Sequence, residues 1–137
     1  MWRAIKYLTG RKFTKDEGGG LTVESVLWVP IFGVFIAAIA DVSLIFYHQA
    51  QATRIAQDAN RHASTGYIDT AAEMYAQAFP RVQTFSPNAI VVTNIDSGTR
   101  GISTVISMPV SDLAIVGFLN AFPGLRVTVG AYHLSEV

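Results

Sequence analysis

The chain is 137 residues long, half of them hydrophobic and only 15% charged, with ten Lys and Arg against ten Asp and Glu; this bounds it to one small domain and excludes disorder, a collagen repeat and a coiled-coil array. It contains no cysteine, which removes a disulfide-stapled scaffold, a thiolate zinc site, a Cys nucleophile and a lipidated Cys anchor. The zero net charge hides an asymmetry, because Arg3, Lys6, Arg11, Lys12 and Lys15, half of the basic residues and every Lys, precede position 16, a distribution that speaks to topology and not to a nucleic-acid partner.

Met1 to Glu17 is polar and basic, with Trp2, Ile5 and Leu8 spaced either for a short helix on anionic headgroups or for a leader without structure. Gly18-Gly19-Gly20 is expected to break the chain, since three glycines lose the most backbone entropy in a helix. From Val26 to Tyr47 the only ionisable residue is Asp41. As a helix this stretch is about 33 Å long, enough to cross a hydrocarbon core, and the rest of the chain is too short to wrap it on every side as a buried core helix. Trp28 and Phe46-Tyr47 suit the two interfaces. With the basic cluster before the span, the positive-inside rule puts the N-terminus in the cytoplasm and the chain after Tyr47 outside.

The helical period continues beyond the span. Ala52, Ile55, Ala56, Ala59 and Ala63 form a narrow stripe opposite Gln51, Arg54, Gln57, Asp58 and Arg61, so one helix is expected from about Leu21 to Ser64, with Gly66 as its stop. Thr70 to Phe79 reads as a short helix capped by Thr70 with Glu73 three residues on, and ended by Pro80. Three segments, Ala89 to Ile95, Ile102 to Met108 and Leu125 to His133, are rich in Val, Ile and Thr and read as strands, the first two joined by the hairpin loop Asp96 to Gly101. Ser111 is placed to cap a helix through Asn120, with Pro123-Gly124 turning the chain back. The fold class is therefore α+β: a long N-terminal transmembrane helix leading into a small antiparallel sheet. The organisation expected is 1–19 as leader, 20–65 as long helix and 66–137 as outer domain, with Tyr67 to Val137 folding alone and without metal.

Enzyme chemistry finds little to use. His48, His62 and His133 lack metal-ligand spacing, and no nucleophile elbow, Walker A or dinucleotide fingerprint occurs; catalytic, metal and cofactor sites are all expected to be absent, and His48 and His62 are read as part of a solvated helix face. The informative constellation is Asp16-Glu17-Gly18-Gly19-Gly20-Leu21-Thr22-Val23-Glu24-Ser25, just before the apolar span. A protease at the cytoplasmic face needs an open, extended segment, which glycines supply. Glu24 is costly at the entry of an apolar helix and asks for a partner. A cut between Gly19 and Gly20 makes Glu24 the fifth mature residue, one turn from a new ammonium, in its own helix or in a neighbouring subunit.

On these residues the chain resembles the type IV pilin superfamily, and within it the TadE-like pseudopilins of tight-adherence (Flp) pilus systems. The resemblance covers about Arg11 to Arg61 and rests on the basic leader, Gly19 at the cut, the run Gly20-Leu21-Thr22-Val23-Glu24, the proline of Val29-Pro30 and the acid of Ala40-Asp41-Val42 before Phe46-Tyr47. Ser25 departs from it, since an aromatic residue usually follows the glutamate there. It implies Gly19 and Gly20 as the processing site, Glu24 as the residue recognised in assembly, a prepilin peptidase and other pilus proteins as partners through the N-terminal helix, and a single-pass place in the bacterial inner membrane as a minor component of the pilus. Pro30 either kinks the helix or is tolerated within the bilayer. Asp41 either makes an interhelix contact in an assembly or reaches the outer interface beside Ser43. Two other readings compete: a secreted binding domain cut after Ala38-Ile39-Ala40, and a single-span anchor carrying a small binding module with no pilus role.

Overall fold

The long apolar period is realised as α1, Gly18–Ser64, a helix of 47 residues. The structure is a computed structural model that describes residues 18–117, 119 and 123–136; residues 1–17 of the expected leader lie outside them. Gly18 to Gly20 form the first turn of α1 where a break was expected. The first turn has no intrahelical acceptors for its amides and ends the helix anyway, so glycine costs least there. Pro30 lies inside α1, and the helix continues through it. α1 ends as expected: Gly66 takes a positive φ of 74°, its amide bonds the carbonyl of Ala63, and the amide of Tyr67 bonds that of His62.

α2, Ala71–Gln83, starts on the expected cap, with the Thr70 hydroxyl accepting the Glu73 amide at 3.2 Å. It does not stop at Pro80. Proline only withdraws one amide from the ladder, and Ala78 and Val82, buried on either side of it, hold the final turn against the core. Strands β1, Ile90–Asp96, β2, Gly101–Pro109, and β3, Arg126–Leu134, form an antiparallel meander in the order β1-β2-β3, each within a residue or so of its expected bounds. The expected helix from Ser111 to Asn120 is reduced to α3, Val110–Leu113, with Ala114 already extended at ψ 136°; Phe118 and Asn120 lie outside the described residues.

The register puts Val91, Ile106 and Val129 in one row and Thr93, Thr104 and Ala131 in the next. These rows face one core together with Ile102 and Met108 of β2, Met74, Ala78 and Val82 of α2, and the α1 stripe Ala52, Ile55, Ala56, Ala59 and Ala63. Alanines on α1 let its backbone lie close to its neighbours, and every residue of the expected stripe is buried. Tertiary contacts divide the chain between Ile36 and Ala37, so the C-terminal part of α1 belongs to the same unit as the sheet. Removing α1 would take away five of the buried side chains of this core, which weighs against the expectation that Tyr67 to Val137 folds alone.

Candidate functional site

At its N-terminal end α1 places Gly19 and Gly20 in the first helical turn and Glu24 one turn further, exposed. Gly20 and Glu24 are four apart and so share a helix face. From Val23 to Ile36 the large apolar side chains are exposed on every side of the helix, including Val26, Leu27, Val29, Phe32, Phe35 and Ile36. Such a surface suits lipid or the helices of other subunits and is costly in water. α1 is long and apolar enough for single-pass membrane anchoring.

Asp41 lies at the other end of this apolar run and is fully buried. Its Oδ1 accepts the backbone amides of Ile115 and Val116 at 3.1 and 2.8 Å. Neither reading of Asp41 from sequence contained this arrangement, in which a carboxylate on the helix fixes the turn that follows α3. Two N–H donors on one carboxyl oxygen offset the cost of removing that polar group from water. The same bonds explain why α3 is short, because the amides of residues 115 and 116 are turned toward Asp41 and withdrawn from a continuing helix.

Three other polar residues have structural roles that the sequence did not reveal. Asn60 is buried in the alanine stripe, accepting the Thr104 hydroxyl at 2.6 Å and donating a longer, 3.4 Å bond to the Ile102 carbonyl. Asp112 gathers the α2–β1 connection: it accepts the Ser86 hydroxyl at 2.9 Å, the Asn88 amide at 2.9 Å and the Asn88 side chain at 3.0 Å. Partial burial pushes its carboxyl upward, but the bonds from Asn88 and Ser86, with the nearby Arg126 charge, outweigh that and leave it below the usual range. In the β1–β2 loop the Thr99 hydroxyl and the Gly98 amide likewise lower Asp96. His48 and His62, expected on a solvated face, are half-buried: His48 stacks on Phe85 at 5.1 Å, and His62 Nδ1 meets the Gln77 amide nitrogen at 2.7 Å. Among the described residues no group of three or more His, Asp or Glu is placed to hold a metal ion.

A helix bare of polar cover at one end and packed into a small sheet at the other is compatible with single-pass membrane anchoring. Residues 19–61 match the TadE-like protein family. The TadE-like segment opens on Gly19, takes in Gly20, Glu24, Pro30 and Asp41, and runs into the alanine stripe as far as Arg61. It therefore joins the exposed apolar run to the part of α1 buried in the core, while α2 and the sheet fall outside it. The match is to a family associated with the tight-adherence pilus, structural in character and not typically enzymatic. No curated protein and no solved structure matches the chain.

Proposed function

We propose that the protein is a minor pilin, or pseudopilin, of a tight-adherence pilus, held in the inner membrane by the N-terminal part of α1 with its N-terminus in the cytoplasm and its sheet outside, and matured between Gly19 and Gly20 by a prepilin peptidase. The TadE-like match over residues 19–61 carries this reading. The basic residues before position 16 support the orientation. The apolar surface of Val23 to Ile36 supports a role in which the helix passes from lipid to neighbouring subunits. Glu24, exposed near the start of that surface, is the residue that a new N-terminal ammonium would pair with, in its own chain or across a subunit contact.

N-terminal sequencing of the protein from the membrane fraction tests the proposal. A mature chain starting at Gly20 is expected, and Gly19→Phe, which crowds the cleft where a peptidase must approach the backbone, should leave a precursor heavier by the leader. A chain still starting at Met1 would indicate a simple anchor, and one starting at Asp41 a secreted domain. The latter would begin on the exposed apolar residues Val42, Phe46 and Tyr47, a surface better suited to the anchored readings.

A further inference from the structure

Ile115 is among the most exposed large apolar side chains in the unit that contains the sheet, at 79%, and the neighbouring Val116 is exposed at 56%. They are not at a remote loop tip. Both amides are bonded to Asp41, so this turn lies against α1 where Ile39, Val42 and Phe46 are also exposed. A few residues further along, Ile45 packs against the core. Exposed apolar side chains from two separate segments thus occur around Asp41, within about 10 Å along α1. Between Asp112 and Arg126 the sequence has no ionisable residue.

We infer that Ile115 and Val116 form a membrane-interface contact, held by Asp41 at the level where α1 enters the lipid and inserted at the headgroup–acyl boundary of the outer leaflet. The inference rests on the reading of α1 as a membrane span. The backbone supplies the second argument: carrying an amide toward the hydrocarbon is costly unless it is satisfied within the protein, and Asp41 satisfies those of Ile115 and Val116. It also gives the carboxylate in the apolar run a reason to be there, since an acid in a span is retained only with partners. Lipid is favoured over a second protein chain because the turn is bonded to Asp41, which itself lies within the apolar stretch Val26 to Tyr47 read as the span, so acyl chains are beside it whenever that stretch is in a bilayer. The outer boundary then falls near Asp41 and not at Tyr47, and about 20 residues of span place the inner boundary at Leu21, next to Gly19 and Gly20.

The absence of native cysteine makes the test direct. Ile115→Cys, Val116→Cys, Phe35→Cys and Ser97→Cys, each in the full chain, would be labelled with an environment-sensitive nitrobenzoxadiazole, reconstituted into phosphatidylcholine–phosphatidylglycerol vesicles and quenched by lipids with a nitroxide high on the acyl chain. All four positions are exposed. The probes at 115 and 116 should be quenched at least about threefold more than that at Ser97, with the shallow quencher more effective than a deep one, as for side chains buried about 5–10 Å into the boundary. If the Phe35 probe is quenched and those at 115 and 116 behave like Ser97, the interface contact is wrong and the span stands. If the Phe35 probe escapes too, the span itself is wrong and the contact falls with it. Rapid disulfide dimerisation of Ile115→Cys, with no quenching of its labelled form, would replace lipid by a second copy of the chain.

Discussion

Asn60 stands where an alanine would continue the stripe, and its burial makes it a sensitive residue of the core. Replacing it by Leu leaves the Thr104 hydroxyl without its acceptor, which should destabilise the sheet-bearing unit by about 1–3 kcal/mol, seen as a fall of several degrees in thermal unfolding of the detergent-solubilised protein. Adding Thr104→Val removes the orphaned hydroxyl as well and should recover part of the loss; simple addition of the two penalties would show that the pair is not coupled. Asp112 makes a pH prediction. Its folded pKa is depressed, so it contributes stability that is fully present above its unfolded value of about 3.9 and is lost as pH falls through the lower folded value. Asp112→Asn should therefore lower the neutral plateau and flatten the acid limb below about pH 4, so that mutant and parent converge in acid, as read from urea midpoints across that range. For Glu24 the expected outcome follows from the proposed function: Glu24→Ala should still be membrane-bound and cleaved, since removing a charge favours insertion, yet fail to restore pili in a deletion strain. Full restoration would remove the pairing role. Residues whose role depends on local sequence, such as the cap Thr70 and the helix stop Gly66, are legible from spacing alone. Asn60, Asp41 and Asp112 are not, because their partners Thr104, Ile115 and Ser86 lie 44, 74 and 26 positions away.

At the scale of elements, α2 shows local and tertiary forces acting together. The Thr70 hydroxyl on the Glu73 amide starts it, while the far end is held through Pro80 by burial of Ala78 and Val82. Thr70→Ala should cost about 1 kcal/mol in chemical denaturation, and Thr70→Ser almost nothing, because the serine oxygen still caps. Both ends of α2 illustrate what a sequence reading can and cannot reach: the cap is written in neighbouring residues, whereas the turn beyond Pro80 depends on a core assembled from other elements. α3 illustrates the reverse error. Its pattern from Ser111 onward suits a helix, but Asp41 takes the amides of Ile115 and Val116, and four residues remain. The strands were legible to within about a residue because their alternation is set by a single buried face, and that face is filled by Val91, Ile102, Ile106 and Val129.

For the molecule as a whole, the core sets the limits of what can be cut apart. A fragment of residues 67–137 lacks Ala52, Ile55, Ala56, Ala59 and Ala63 and should expose Ile102, Ile106 and Met108 to water, so it is expected to aggregate or stay unfolded; residues 41–137, which keep the stripe and Asp41, should show a cooperative thermal transition. Cooperative folding of the shorter fragment would show that α1 is dispensable to the sheet. Beyond Glu24 and Ser25, the stretch of helix before the division between Ile36 and Ala37 offers mainly apolar contact. Ten large side chains between Val23 and Ile36 are exposed, and at about 1.5–3 kcal/mol each their transfer into water would cost roughly 15–30 kcal/mol. No thermally reachable aqueous intermediate exists at such a height. On the proposed function, a subunit leaving the bilayer for a fibre would be passed directly from lipid to protein, each helix side gaining a neighbour as it loses its acyl chains, and the fibre would grow only at the surface of the membrane.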